Sequence, residues 1–586
     1  MRRAIEPMPS AVSTSQGRAV TPTGEPFADA EGHARLLRQA TTAFVVLGVL
    51  LRVLRYLADF PLWCDEARLA ANLIDLGYGD LGRPLRYAQV CPVGFLAVET
   101  TAVHLFGFST WSLRLAPLIS AVASVVLFRH VAGRVLSGLA LLFAVAIFSV
   151  SWWPIGFAAE VKPYATDLFV SLSLLALGLE WLRRPERTAW LWGLAAAAVV
   201  AVPLSLPSVF VIGGACLALA PSVWRTRRAG TAAAFLALAV VPAALFAALL
   251  PLYKLAPEVQ SFMDGYWAGA FPPTGDPVRL LGWLAEAHTG AMFAYPIGYG
   301  WGGSVLTTLC FVAGARTLWV RGRRTLVVLG LAPLALCFVA AVLRRYPYGD
   351  QPRTMQFFVP AVCLFSAQGL ASLVRLIPAR QARRSVVAAA LLLYLALATA
   401  SLVKDLVLPY KLIRDHRARE FAAWFWESLA FDSEPACARS DLGVVVQPSH
   451  WDLHWTEYYL CYQRIYSDRH RRKRPVRVDL ISNKHPLKCV FFNEHPEGSP
   501  VFRSWMAEMN KVFIYRGSRE YTVVGHGPRG PDFANMYLVF EFVPRPGAVA
   551  LSVPGMKDSE GSGRVVFPTN GNRVGRRTLS GVGPVR

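Results

Sequence analysis

Charge is what this sequence has least of. Charged residues make up 17% of the 586-residue chain, apolar residues 54%, and the mean hydropathy is +0.38. So little charge over so long a chain excludes an ordinary water-soluble protein and leaves a multi-spanning membrane protein as the expectation. Acids are scarcer than bases, 38 Asp and Glu against 60 Lys and Arg, for a formal charge of +22. In a soluble protein that excess would point to nucleic acid. Here much of it lies in short basic loops between apolar segments, where its physical role is to orient the chain in a bilayer. The nine cysteines form no C-x-x-C pair and no His-rich spacing accompanies them, which excludes the common zinc and dithiol motifs. No internal repeat is evident. The first apolar run lacks the small-residue pattern of a cleaved signal, and residues 1–40, polar and mixed in charge, are expected to form a disordered cytoplasmic tail.

What is present is a series of membrane-length apolar runs. They begin near Thr41, Trp111, Leu136, Pro163, Thr188, Leu206, Thr231, Gly302, Thr325, Met355 and Ser385, each about 17 to 22 residues long as a bilayer requires. A further apolar piece, Val93 to Phe108, is short and carries Glu99 and His104, so it is expected to lie at the interface. Parity supports leaving it out. With the N-terminus in the cytoplasm, the inward loops then hold Arg129 and Arg134, Arg183 to Arg187, Arg225 to Arg228, Arg321 to Arg324, and Arg375 to Arg384. Counting it as a crossing would turn every later arginine loop outward.

The fold class that follows is mainly α, a polytopic bundle of about 11 transmembrane helices occupying residues 41–410, with interfacial helices in a first outer loop over 59–110. From Lys411 onward charge becomes frequent and short β-rich runs appear: Gly443 to Gln447, Cys489 to Asn493, Lys511 to Tyr515, Tyr521 to Val524 and Tyr537 to Val543. His416 to Leu429 has helical periodicity. Residues 411–546 are therefore expected to form an extracytoplasmic α/β domain, and 547–586 a disordered basic tail.

Three outward stretches can carry chemistry. Leu62-Trp-Cys-Asp65-Glu66-Ala67 sets two adjacent carboxylates at the edge of the bilayer, either as helix-capping acids in a solvated turn or as a functional pair. Glu160-Val-Lys162-Pro-Tyr164-Ala-Thr-Asp167 places Tyr164, Asp167 and Ser171 on one helical face, with Lys162 at the helix start as a cationic spot suited to phosphate, or as a lysine snorkelling to water. Arg344-Arg345-Tyr346-Pro-Tyr348-Gly-Asp350-Gln-Pro-Arg353 puts three arginines on the outer side, against the orienting bias, and a bound anion or pairing with Asp350 would account for them. Arg114 is a fourth candidate cation, and His104 with Glu99 could touch an acceptor. Cys64 and Cys91 share the first outer loop and would close about 27 residues if joined. A pair among Cys437, Cys461 and Cys489 would leave an odd thiol. Arg469 to Arg477 is the strongest basic run of the outer domain, placed for acidic headgroups, an anionic glycan or simply solvent.

Moving a sugar from a lipid phosphate to a hydroxyl needs a carboxylate to take the hydroxyl proton and cations to receive the departing phosphate. Phosphate leaves readily, so one base and a cationic cradle suffice, and direct displacement inverts the anomeric carbon, unlike hydrolysis by a carboxylate pair. A divalent metal at Asp65 and Glu66 would assist, although no D-x-D sequence lies in the outward loops between spans. The alternative from another class is a transporter or lipid flippase of the cell envelope. Transporters bind at the midplane between repeats, whereas the polar residues here gather at one face.

The Trp63-x-Asp65-Glu66-Ala67 element, the Gln89-x-x-Pro92-x-Gly94 element and Arg114-Leu115-x-Pro117 resemble the GT-C membrane glycosyltransferases. They are most similar to the branch of protein mannosyltransferases, aminoarabinose transferases and bacterial lipopolysaccharide-core sugar transferases. Glu160-Val-Lys-Pro-Tyr-Ala-x-x-x-Phe169 and Arg345-Tyr-Pro-x-Gly…Arg353…Phe358-x-Pro360 are similar to elements of bacterial members, and the likeness covers about Thr41 to Val407. The resemblance implies a polyprenyl-phosphate sugar donor, a lipid, glycan or protein acceptor, transfer at the extracytoplasmic face of the inner membrane, and no nucleic acid. It makes Asp65 the base with Glu66 beside it. Lys162, Arg345 and Arg353 are placed as phosphate contacts.

Overall fold

The computed structural model describes residues 25–421, apart from 75, 86–88, 256, 298–303, 350, 414 and 417, and beyond them 443–446, 465, 487–492, 503, 506–507, 509–511, 513–527 and 530–546. Among the described residues, eight helices are long and apolar enough to cross a membrane, or nine if the bent pair Gly138–Val150 and Trp152–Ala159 is one span. Two further expected crossings are the shorter apolar helices Ala189–Leu204 and Val305–Val320, and together these account for the eleven runs of the sequence. The third short apolar helix, Val93–Phe106, is the segment expected at the interface.

Two expectations change at element boundaries. The tail expected to be disordered to residue 40 is helical from Glu25, since Glu25–Leu57 is one helix. Its sequence Ala-Glu-Gly-His-Ala-Arg-Leu-Leu-Arg-Gln-Ala is rich in strong helix formers, so the span extends without a break toward the N-terminus. Residues 513–515 of the first run and 521–524 of the second belong to a single strand, while Lys511 is helical. The four strands are β1 (Gly443–Val446), β2 (Leu487–Phe492), β3 (Phe513–Gly527) and β4 (Gly530–Pro544), in sheet order β1-β2-β4-β3. β1 and β2 pair in parallel, and β2 with β4 and β3 with β4 pair antiparallel. β3 keeps its register over 15 residues by two irregularities, at Tyr515/Gly517 and Val523/Gly525. Cys437, Cys461, the 469–477 basic run and the 547–586 tail lie outside the described residues.

The helices divide by burial. Pro352–Arg375 is 83% buried and Tyr164–Arg183 67%, whereas Ala229–Tyr253 and Arg380–Val407 are each 17% buried and face outward. The two central helices therefore start with the stretches that carry Lys162 to Asp167 and Arg353. Close contact of small residues fixes this core. A Cβ on Gly314 would lie 1.8 Å from the Phe365 carbonyl oxygen, and one on Gly369 would lie 1.8 Å from that of Cys310, so Val305–Val320 and Val359–Arg375 touch backbone to backbone. The break at Ser151 has its own support. Arg52, fully buried, donates to the carbonyls of Gly48 (2.8 Å), Ser149 (3.2 Å) and Phe148 (3.3 Å), a cation placed on the last turn of Gly138–Val150 where the helix dipole is negative.

Candidate active site

The first outer loop folds back at Asp59, whose φ of 43° is the left-handed conformation that Asp tolerates. Four residues later the helix Cys64–Leu73 begins, with Asp65 and Glu66 in its first turn, where the dipole favours acids. Neighbours in a helix point about 100° apart, and the structure uses that angle to separate the two carboxylates.

Glu66 turns inward and is fully engaged. Arg114 grips it through Nε (3.1 Å to Oε1) and Nη2 (3.0 Å to Oε1 and 3.1 Å to Oε2), and the backbone N–H groups of Val161 (2.9 Å) and Trp63 (3.2 Å) donate to it as well. Arg114 is itself buried and donates to the Phe60 carbonyl at 2.5 Å. This pair ties the start of the loop, the Glu160–Lys162 strip and the Thr110–Val135 span into one block.

Asp65 is the more exposed of the two acids. Its Oδ2 accepts from Arg353 Nη1 at 2.7 Å, and its side chain keeps 26% exposure. Burial acts to raise its pKa, but Lys162, Arg353, Arg68 and Lys411 together hold the carboxyl down to about 2. It is a carboxylate at every physiological pH. Arg353 enters from the seven-residue 3-10 stretch Pro352–Phe358, gives Nη2 to the Tyr266 hydroxyl at 2.7 Å, and stands 5.2 to 5.9 Å from the rings of Trp267, Trp63 and Tyr266. An aromatic enclosure of this kind favours a guanidinium over an ammonium.

Behind Asp65 stand the residues of the second stretch. Lys162 is buried and donates to Gln89 Oε1 at 2.5 Å. Glu160 accepts from Lys411 Nζ at 2.8 Å through Oε1, while its buried Oε2 has no partner among the described residues. Tyr164 opens its helix against Phe157 (5.1 Å, edge to face) and lies within electrostatic reach of Asp65, Glu160 and Arg353. One turn deeper, Asp167 is buried with Oδ1 unpartnered among the described residues. Tyr346 donates to the Thr354 carbonyl at 2.9 Å and packs on Phe210, close enough to Asp167 and Tyr164 to feel their charge. Buried acceptors without donors are uncommon in a protein interior and mark space that a polar ligand can use.

The structure thus brings together Asp65, Glu160, Lys162, Tyr164, Asp167, Tyr346 and Arg353, with Glu66 and Arg114 beneath them. Two predicted residues stand apart. Arg345 is exposed, with no ion pair among the described residues, because the chain turns at Arg344 (φ 53°) and sends Arg353 inward instead. His104 is exposed at the far end of Val93–Phe106, edge to face with Tyr78 at 5.3 Å. Cys91 is a buried free thiol, so the Cys64–Cys91 bridge is not formed. The acidic pair does not fit a divalent cation: Glu66 has spent its oxygens on Arg114 and two N–H groups, Asp65 faces a guanidinium, and no cluster of three His, Cys, Asp or Glu suited to a metal occurs among the described residues. Sequence reading missed Tyr266, Trp267 and Lys411. The adjacent aromatics in a long outer loop were the one available signal for the first two.

No protein-family model matches the sequence, and no curated protein matches it. Among solved structures the chain is similar to ArnT from Cupriavidus metallidurans bound to undecaprenyl phosphate, at 16% identity and a TM-score of 0.48, over 85% of this chain and 97% of that one. It is also similar to the archaeal oligosaccharyltransferase AglB from Archaeoglobus fulgidus in complex with an inhibitory peptide and a dolichol-phosphate, at 13% identity and a TM-score of 0.42, over 87% of this chain and 75% of that one.

Proposed function

We propose that this protein is an integral membrane glycosyltransferase that moves a sugar from a polyprenyl phosphate to a hydroxyl on the extracytoplasmic face, with inversion. The observation that carries the proposal is the Asp65–Arg353 pair. A carboxylate that is always ionised sits at the outer mouth of the helical bundle, held by a cation that a phosphate can claim, with Lys162 behind it.

The chemistry follows from that exchange. A carboxyl held near pKa 2 is a weak base, and it becomes a stronger one when its cation is drawn away. The donor phosphodiester takes the free donors of Arg353 and Lys162, because guanidinium and ammonium groups bind phosphate oxygens strongly. Asp65, relieved of part of its neutralising charge, accepts a hydrogen bond from the acceptor hydroxyl. The hydroxyl oxygen forms a bond to the anomeric carbon as the carbon–oxygen bond to phosphate breaks, the electron pair leaves with the lipid phosphate, and the proton passes to Asp65. Negative charge grows on the phosphate in this step, where the cations already stand. Glu66 and Arg114 position Asp65 without touching substrate.

The extracytoplasmic assignment is supported by the basic loops at 129–134, 183–187, 225–228, 321–324 and 375–384: with these and the N-terminus in the cytoplasm, the site and the 411–546 domain lie outside. Supplying a radiolabelled polyprenyl-phosphate sugar to membranes that contain wild type or Asp65→Asn tests the proposal. Transfer by wild type and a loss of about 10²-fold or more in the variant are expected; equal transfer by both would remove Asp65 as the base. Labelling of a cysteine placed at Gly322 from outside the cell would overturn the orientation.

A further inference from the structure

We propose that Lys411, the first charged residue beyond the last membrane helix, is a contact for the donor phosphate. The inference rests on the transfer chemistry proposed above.

Lys411 stands outside the span Arg380–Val407, yet its side chain returns to the site. Its Nζ donates to Glu160 Oε1 at 2.8 Å and lies 3.8 Å from the centre of the Trp63 ring, the residue that also faces Arg353 and precedes Asp65 by two. Lys411 is one of the four cations that act on the Asp65 carboxylate. An ammonium has three donors, and the structure shows one of them used by a carboxylate. The two partners differ in exposure: Glu160 is 6% exposed and Lys411 32%. The lysine is thus the more solvent-accessible member of the pair, whereas the carboxylate backs into protein.

Besides Lys411, the cations that act on Asp65 are Lys162, Arg353 and Arg68. A phosphodiester brings a further negative charge, and the phosphate gains another as the sugar leaves. Lys411 adds a fourth cation to the group that the donor phosphate meets. A mere structural pair would have no cause to expose its cation toward Asp65 or to place it on the tryptophan that lines the same opening.

The neighbouring segment holds Lys411 in place. Arg419 donates to the Asp59 carbonyl at 2.6 Å and to Asp59 Oδ2 at 3.0 Å, while Tyr410 stacks on His416 at 5.5 Å. The start of the 411–546 region is thus clamped to the first outer loop, and a cut at residue 410 would divide the site.

The test uses the full-length protein in membranes and measures two things, transfer from a polyprenyl-phosphate sugar and binding of undecaprenyl phosphate against neutral undecaprenol. Lys411→Gln should lower kcat/KM for the lipid donor about tenfold to a hundredfold and weaken phosphate-lipid binding without changing undecaprenol binding. Lys411→Arg should restore most of both. The double variant Glu160→Gln with Lys411→Gln separates a ligand contact from a pair that only neutralises Glu160. If Lys411 binds phosphate, the double variant remains weak in phosphate-lipid binding; if it returns to within about twofold of Glu160→Gln alone, the inference is overturned. Wild-type transfer with unchanged Lys411→Gln binding also overturns it and leaves the transferase proposal standing. Loss of binding in Lys411→Gln, with no transfer by wild type to any hydroxyl acceptor, supports the phosphate contact and removes the transferase proposal.

Discussion

Two ion pairs lie one residue apart in sequence and differ in nearly every physical respect. Glu66–Arg114 is closed: both side chains are almost fully buried, the guanidinium meets the carboxylate through Nε and Nη2, and backbone N–H groups complete it. Asp65–Arg353 is open, with one contact between the two, exposures of 26% and 10%, and the Tyr266 hydroxyl and aromatic rings around the cation. Closed pairs satisfy one another and hold the fold. An open pair keeps donors and charge in reserve, which is what a site for an anionic ligand requires.

The comparison breaks most readily at the closed pair. Arg114→Met leaves Glu66 buried and uncompensated, at a cost of about 3–5 kcal/mol. Folded protein should be scarce, and thermal unfolding of what can be purified should shift sharply downward. Asp65→Asn should do the opposite, holding stability within about 1 kcal/mol because the carboxylate is partly exposed, while transfer falls by about 10²-fold or more. Equal damage to stability in the two variants would erase the distinction. Arg353→Lys comes next: one ammonium cannot hold Asp65, Tyr266 and a phosphate with the geometry of a fork, so KM for the lipid donor should rise about tenfold with a smaller change in kcat.

How much of this was legible follows the same division. The spans were readable because each is a continuous apolar run, and the central ones were marked by polar residues at their outer ends. The bend at Ser151 is partly legible, since Pro154 cannot donate to the Val150 carbonyl, but Arg52 reaching across from another helix to the carbonyls of Ser149 and Phe148 is not. Asp65 stood out as a carboxylate at the edge of an apolar span, Lys162 as a cation at a helix start, and Arg353 as one of three arginines against the orienting bias expected of its loop. The different roles of Asp65 and Glu66 were invisible, because adjacent acids look alike until the helix turns them apart. Lys411 was read as the edge of a separate domain. Its partner Glu160 is 251 residues away, and no local pattern announces such a meeting. The strand β3 was divided in two because Gly517 and the charged Arg519-Glu520 interrupt the apolar run that its bulge accommodates.

The open pair also makes a prediction in pH. Asp65 titrates at about 2 in the folded protein, below its ordinary value near 4, so its stabilising contribution is present above about pH 4 and is lost as pH falls through about 2. Between pH 5 and 9 it adds no slope to stability. In the free enzyme the pH profile of kcat/KM should therefore show no acid limb from Asp65 above about pH 3. An acid limb near pH 5 that disappears in Asp65→Glu would contradict the charge balance given for the site.

The smallest effect sharpens the comparison from the side of an acid with no pair at all. Glu99, on the interfacial helix Val93–Phe106, is wholly buried, and neither oxygen has a partner among the described residues. Burial pushes its carboxyl well above the usual carboxylate range. The sign is opposite to that of Asp65: a raised folded pKa gives a contribution that is fully present below about pH 4.3 and is lost as pH rises through the folded value. Wild-type stability should then decline with rising pH in that window. Glu99→Gln, a neutral side chain of nearly the same shape, should flatten the decline and leave transfer unchanged, with a stability change at low pH of less than about 1 kcal/mol. Thermal unfolding of both proteins at pH 5 and pH 8 reads this directly, and parallel pH dependences would show that Glu99 has a partner and belongs with the closed pairs.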